Sequence, residues 1–482
     1  MAPSPTGEYH IGSMRTLLYN YAFAKKNGGQ FVLRVEDTDR ERFVEGALER
    51  ALQAITDYGL SWDEGPEVGG PFAPYIQSQR LALYKKYALE LVAQGHAYYC
   101  FCTKDRLEDM RKAQQEARLP TTKYDQRCLG LSPDEVHTNL ARGLEYVIRL
   151  KVPSNTPIAY TDLFLGKIAF PSNDVEDQIL LKSDGFPTYH LAVVVDDHLM
   201  EITHILRGSE WLASTPKHVL LYEYFGWEMP KTGHLPVLKE VGANKKMSKR
   251  FGDVAAAEFL KNGYLPEALL NFIMLLGWNP GTEQEIFSLK AFIDVFSLEH
   301  IHKTDLVAFD REKLLWFNGY YIRQLTDAAL YAKVVAWAQR WNVSLADGAH
   351  DREYTLKVLA LIKDRMKTLA AFTELSDYFY TTPKVDKSAL ASYGGAKWQD
   401  LLTGFASVFA AVEQTDWHKE ALDHAAHTFI ETAKYGTKEA FMTLRVAITG
   451  STATPPLFDV LELVGKTKVL ARLNALVLEN SS

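Results

Sequence analysis

Ala2-Pro3-Ser4-Pro5-Thr6-Gly7-Glu8-Tyr9-His10-Ile11-Gly12 is the stretch on which the reading of this chain turns. Pro3, Pro5, Gly7 and Gly12 impose irregular backbone, and a helical pattern begins directly afterwards. A helix that starts there offers unpaired N–H groups and the positive end of its dipole, a setting that suits phosphate. Gly12 lets an adenine or ribose approach the backbone closely. His10 can donate to α-phosphate oxygens as charge builds on them; a capped turn with an incidental histidine is the plain alternative for this segment alone.

The pattern around this stretch is alternating strand and helix. Met14–Lys26 carries apolar residues at helical spacing and ends at Asn27-Gly28-Gly29, a stop signal. Phe31–Glu36 reads as a strand and Phe43–Tyr58 as a helix closed by Gly59. This rhythm predicts a parallel sheet with helices on its faces. Gly65–Pro74 reads as an exit loop. Residues 76–182 break the rhythm and read as an α+β insertion, with a helix at Arg80–Gln94 and a strand at Tyr146–Val152. The rhythm resumes at 183–240. Leu191-Ala192-Val193-Val194-Val195, all apolar and ending in Asp196-Asp197, reads as a buried parallel strand. Ser214–Gly226 reads as a helix. Residues 241–322 read as mostly helical with a break at Pro280-Gly281. From 323 to 482 the pattern is helical throughout, with a loop at Ser451–Pro456 and a subdomain split near 375.

A second short segment, Lys245-Lys246-Met247-Ser248-Lys249-Arg250, lies far from the first. Activation of a carboxylate by ATP expels pyrophosphate, on which negative charge grows. Ammonium groups that meet this charge mainly in the transition state lower the barrier. Lys246 and Lys249 are the candidates, with the Ser248 hydroxyl as a further donor. A solvated basic loop is the plain alternative for this segment alone.

The two segments together resemble the class I aminoacyl-tRNA synthetases, and within them the glutamyl branch. Tyr9-His10-Ile11-Gly12 is similar to the HIGH signature of that family and Lys246-Met247-Ser248-Lys249-Arg250 to its KMSKS signature. The glutamyl branch is marked by Ala2–Gly7, Arg34-Val35-Glu36-Asp37-Thr38-Asp39, Leu181–His190, Val194–His198 and Ile205–Trp211, and the similarity continues through Phe317–Arg323. The resemblance implies a Rossmann-type α/β catalytic domain (1–75 and 183–240), an inserted acceptor-stem domain (76–182), a helical stem-contact domain carrying the lysine loop (241–322) and an all-α anticodon-binding region (323–482). It implies glutamate–tRNA ligation in two steps: glutamyl-adenylate formed from glutamate and Mg-ATP, then transfer to the 3′ end of tRNA(Glu), with tRNA(Gln) as a further substrate left open. Position by position, it assigns Ala2, His10, Gly12, Glu210, Trp211, Leu238, Lys246 and Lys249 to ATP. Ser4 and Glu36 fall to the substrate ammonium, Arg207 to a carboxylate and Tyr189 to the glutamate pocket. A planar fork holds a carboxylate better than an ammonium does. Arg365 aligns with a reader of the third anticodon base, and Arg445 is a second candidate. Splayed bases are read by such side chains.

The chain departs from the family at two places. Only Met1 precedes Ala2, where the family carries an arginine two residues upstream, so a shortened first strand and weaker glutamate binding are expected. Val193 stands where some relatives carry Asn.

All three cysteines fall in the insertion: Cys100-Phe101-Cys102 and Cys128, the last in Tyr124-Asp125-Gln126-Arg127-Cys128. Structural zinc takes four ligands. Some members of the family bind zinc through this pattern, which implies Cys100, Cys102, Tyr124 and Cys128 as the set. His137 is a poorer fourth ligand, and three buried thiols without metal remain the alternative.

The chain has 482 residues, 47% hydrophobic and 23% charged, with net charge −7. That length predicts several domains, and the composition argues against disorder. An acidic chain must meet RNA through local basic patches. There is no apolar run of membrane length, no secretory leader pattern and no disulfide framework, so a cytoplasmic location is expected; a monomer is expected as well. The competing readings are a shorter relative that glutamylates a modified tRNA base, a glutaminyl-tRNA synthetase and a non-catalytic tRNA-binding protein. The helical C-terminal region argues against the first of these and the glutamyl motifs against the second.

Overall fold

The computed structural model describes residues 1–119, 122–243, 247 and 254–478. The chain forms two compact units: residues 1–258 with 270–310, and residues 259–269 with 311–482.

The first unit is built on parallel strand pairing. The backbone of 31–36 is held on both sides. Met1 N–H donates to Val32 O, Arg34 N–H to Met1 O and Glu36 N–H to Pro3 O; on the other flank Leu33 N–H donates to Glu64 O and Val35 N–H to Tyr75 O. His204–Gly208 pairs in parallel with Lys231–Leu235, and Val237–Glu240 with Leu306–Phe309. The last strand lies in a stretch that reads as mostly helical; only four residues long, it is too short to stand out in sequence among helices.

Ile11–Lys26 is a helix whose N-cap is His10. Ala47–Asp57 is the second helix, shorter than its sequence pattern suggests. A second correction concerns Leu191–Val195. This run lies in a helix, Tyr189–Leu199, and not in a strand. Its five residues are buried on every side, packed against Tyr84, Ala88 and Leu91 of one helix and Leu220–Tyr222 of another. An apolar run buried all round has no periodicity, so strand and helix cannot be told apart by pattern; packing overrides the strand propensity of the three valines.

The insertion has its own antiparallel sheet, ordered Ala97–Cys100, Val147–Leu150, Ile179–Leu181. Beside it stands a hairpin, Pro157–Asp162 paired with Gly166–Pro171. That hairpin is docked on the parallel pair. Leu163 N–H donates to Thr232 O, and a side chain at Gly233 would meet the Phe164 ring at 2.5 Å.

The second unit is helical, as its pattern predicts. Its core runs through Leu401, Leu402, Phe405 and Phe409 of the helix Trp398–Ala411 and Val469, Leu473 and Leu476 of Lys466–Leu478. No described helix is long and apolar enough to cross a membrane.

Candidate active site

A cavity of about 540 Å³ opens at the N-terminus of the helix Ile11–Lys26. Ala2, Ser4, His10, Gly12, Glu36, Tyr189, Arg207, Glu210, Trp211 and Leu238 all line it, so ten residues from five separated segments converge on one space. Val193 lines it too.

His10 accepts from Gly12 N–H through Nδ1 at 2.9 Å, capping the helix. A neutral imidazole that accepts at Nδ1 carries its proton on Nε2. A Cβ at position 12 would come within 3.1 Å of the ring, which explains the glycine there.

The described ends of the lysine loop are fixed to this wall. Met247 is buried, lines the cavity and donates its N–H to Leu238 O at 2.7 Å. Ile11 N–H donates to Val254 O at 2.8 Å, and Val254 also lines the cavity. Lys246, Ser248 and Lys249 lie outside the described residues.

On one side the cavity is strongly ionic. Arg34 pairs with Asp197 at 2.6 Å and Glu36 at 3.0 Å, and all three are buried. Asp196, behind them, is held by Arg80, Gln77 and Tyr84. Arg34 and Glu36 are thus a buried ion pair. Burial pushes the Glu36 carboxyl up to about 7, against the pull of Arg34. Burial also raises Asp197.

On the other side Arg207 stands among neutral acceptors. Its Nε donates to His234 Nε2 at 3.0 Å, Nη2 to Thr215 Oγ1 at 2.8 Å, and Nη1 to Tyr189 Oη and His218 Nδ1, both at 3.3 Å. Burial lowers His218 and His234 below the ordinary histidine range and holds His190 at about 3, so these rings stay neutral. Trp211 is 40% exposed and packs on Tyr189 at 4.5 Å between ring centroids, so it is not core. Sequence reasoning did not single out His234, His218, Thr215 or Asp162; the only signal was His234 in the stretch that leads to Leu238.

The profile of the family described as "tRNA synthetases class I (E and Q), catalytic domain" matches residues 1–316, and that of an anticodon binding domain matches 329–477. The chain belongs to the class I tRNA synthetases of the E and Q type. It is 42% identical to a glutamate–tRNA ligase of Clostridioides difficile (strain 630), covering 98% of this chain and 97% of that protein. It is 41% identical to one of Chloroherpeton thalassium, covering 99% and 96%. The crystal structure of a glutamate tRNA ligase from Elizabethkingia meningosepticum in complex with its amino acid superposes with a TM-score of 0.85 at 34% identity, covering 100% of this chain and 99% of that one.

Outside the cavity, this synthetase chain brings its cysteines together. The sulfurs of Cys100, Cys102 and Cys128 lie within 4.8 Å of one another. The Tyr124 hydroxyl stands 3.4 Å from the sulfurs of Cys100 and Cys102. Arg149 lies over the Tyr124 ring at 4.0 Å. Four donors around one point, three of them thiols, fit tetrahedral zinc. In the helical unit Arg365 is exposed at the end of the turn Lys363–Arg365. Arg445 differs: its guanidinium donates to Thr454 and to Pro455 O, which fixes it to its own loop.

Proposed function

We propose that this chain is a glutamate–tRNA ligase. The observation that carries the reading is the convergence, in one cavity, of an imidazole at a helix N-terminus, a buried carboxylate and an arginine fork. Glu36 and Ser4 receive the ammonium of L-glutamate. An incoming ammonium gives the buried Glu36 a second positive partner and favours its ionised form. Arg207 grips a carboxylate, and Tyr189 closes the pocket. Ala2, Gly12, Glu210, Trp211 and Leu238 receive ATP, which brings Mg²⁺ with it as part of the substrate.

The glutamate α-carboxylate oxygen attacks the α-phosphorus, and the bond to pyrophosphate breaks. His10 donates from Nε2 to the phosphate oxygens, while Lys246, Lys249 and Ser248 meet the charge on the leaving pyrophosphate. The terminal ribose 2′-hydroxyl of tRNA then attacks the activated carbonyl and AMP leaves. No covalent enzyme intermediate is required: the work is positioning and charge stabilisation. Arg365 reads the anticodon. The same reading makes the enzyme a cytoplasmic monomer. Charging of purified tRNA(Glu) and tRNA(Gln), with each of the twenty amino acids in turn, tests this. Charging with glutamine and not glutamate, or tight tRNA binding with no charging, overturns it.

Cys100, Cys102, Cys128 and Tyr124 hold a structural zinc that staples the insertion and takes no part in the chemistry. The purified chain should carry about one zinc, as metal analysis reads it. Cys128→Ser should lose the metal and lower the melting point, with the KM for ATP unchanged. A fully active chain that retains no zinc sinks this assignment.

A further inference from the structure

We propose that Asp162 and His234 are positioning residues for the substrate carboxylate: Asp162 fixes the tautomer of His234, and His234 fixes the guanidinium of Arg207. The inference rests on the glutamate-binding role given to Arg207 above and extends it to two residues that touch no substrate.

Asp162 and His234 are fully buried, and His234 Nδ1 lies 2.6 Å from Asp162 Oδ2. The carboxylate is held ionised, since its Oδ1 accepts from Phe164 N–H at 2.9 Å and Leu165 N–H at 3.1 Å and His234 donates to Oδ2. A carboxylate only accepts, so the imidazole proton sits on Nδ1. The ring is neutral, so Nε2 presents a lone pair, and this lone pair accepts Arg207 Nε–H at 3.0 Å. Were the proton on Nε2 instead, two N–H groups would face each other and the guanidinium would turn away.

The remaining partners of Arg207 obey the same order. His218 accepts from Arg207 at Nδ1, so its Nε2–H points to His190 Nδ1 at 3.1 Å. Thr215 Oγ1 accepts from Arg207 and stands 3.3 Å from both Trp211 O and His234 Nε2, the two acceptors for its own proton. The fork is therefore held by His234, His218 and Thr215, each of which is itself hydrogen-bonded, as preorganised recognition requires. Asp162 comes from the inserted hairpin, and that hairpin is pinned by the Leu163–Thr232 hydrogen bond and by Phe164 on Gly233. The insertion thus supplies the first member of a relay that ends at the glutamate site.

Three variants test the relay: Asp162→Asn, His234→Leu and His234→Gln. An asparagine can turn its NH₂ to Nδ1 and force the proton to Nε2. Leucine removes the acceptor, whereas glutamine keeps an oxygen near the place of Nε2. In steady-state charging of tRNA(Glu), Asp162→Asn and His234→Leu should raise the KM for glutamate on the order of 10–100-fold, the usual cost of losing an orienting partner. The KM for ATP should stay put, and His234→Gln should fall near the parent chain. Unchanged glutamate KM in His234→Leu overturns the proposal. So does a His234→Gln as impaired as His234→Leu, or a loss shared equally by kcat and both KM values. If Asp162→Asn does not fold, the leucine–glutamine comparison still decides. A parent chain that charges no glutamate overturns the functional reading and this proposal together; a normal parent with indifferent variants overturns this proposal alone.

Discussion

Replacing Arg207 with leucine is expected to lower kcat/KM for glutamate by about a thousand-fold while leaving the KM for ATP near its original value. The reason is the surroundings of the guanidinium. Four of its five N–H groups donate to neutral partners, and its charge, with one Nη2–H, is left for a ligand in the cavity it lines. A substrate carboxylate is thus its natural charged partner. Removing one member of a desolvated, hydrogen-bonded charge pair costs about 2–5 kcal/mol, much of it from the charge left unpaired. At about 1.4 kcal/mol per decade, about 4 kcal/mol, in the upper half of that range, gives the stated factor. Arg207→Lys separates charge from shape. It keeps a cation but cannot reach His234, Thr215 and a carboxylate at once, so a loss of about a hundred-fold is expected. Glutamate-dependent pyrophosphate exchange in the presence of tRNA reads both variants. Exchange by Arg207→Leu at the parental rate and the parental glutamate KM would remove Arg207 from the site.

The contrast between Arg207 and its supports shows what a sequence carries and what it hides. His10 was legible from the glycines and prolines around it, and Glu36, Tyr189 and Arg207 as positions in the family-like runs Arg34–Asp39, Leu181–His190 and Ile205–Trp211. These runs are where backbone geometry and chemistry are both constrained, and they do line one cavity. The alternating rhythm at the start foretold parallel pairing, and the helical pattern after 323 foretold the second unit. Asp162 and His234 were not legible. They lie 72 positions apart, and their meeting depends on where an inserted hairpin docks. No local pattern encodes that. The Leu191–Val195 run was misread for a related reason. Its conformation is decided by the two helices that cover it, and its own residues favour the other state. Trp211 shows the reverse case: read alone it passes for core, yet it is half exposed beside Tyr189 at the cavity.

His10→Asn should slow adenylate formation on the order of 100–1,000-fold and leave the fold intact. Two jobs are joined in this side chain and the variant parts them. Through Nδ1 the imidazole caps the helix Ile11–Lys26 by accepting from Gly12 N–H at 2.9 Å. Through Nε2 it carries the proton that meets charge growing at the α-phosphate. Asparagine is among the best N-cap residues, and its side-chain oxygen can take over the first job. It is too short for the second. Removing one donor aimed at developing negative charge typically costs about 2.7–4 kcal/mol, which sets the expected factor. His10→Ala removes cap and donor together. It should match the rate loss and in addition lower the melting point, by an amount consistent with about 1 kcal/mol for a lost cap. The KM for glutamate should change little in either variant, since Glu36, Tyr189 and Arg207 lie on other segments and Ser4 stands six residues before the cap. Rapid-quench measurement of adenylate formation, set beside thermal melts of both variants, separates the two roles. An asparagine variant that forms adenylate at the parental rate would leave His10 with a cap to make and no part in the transfer.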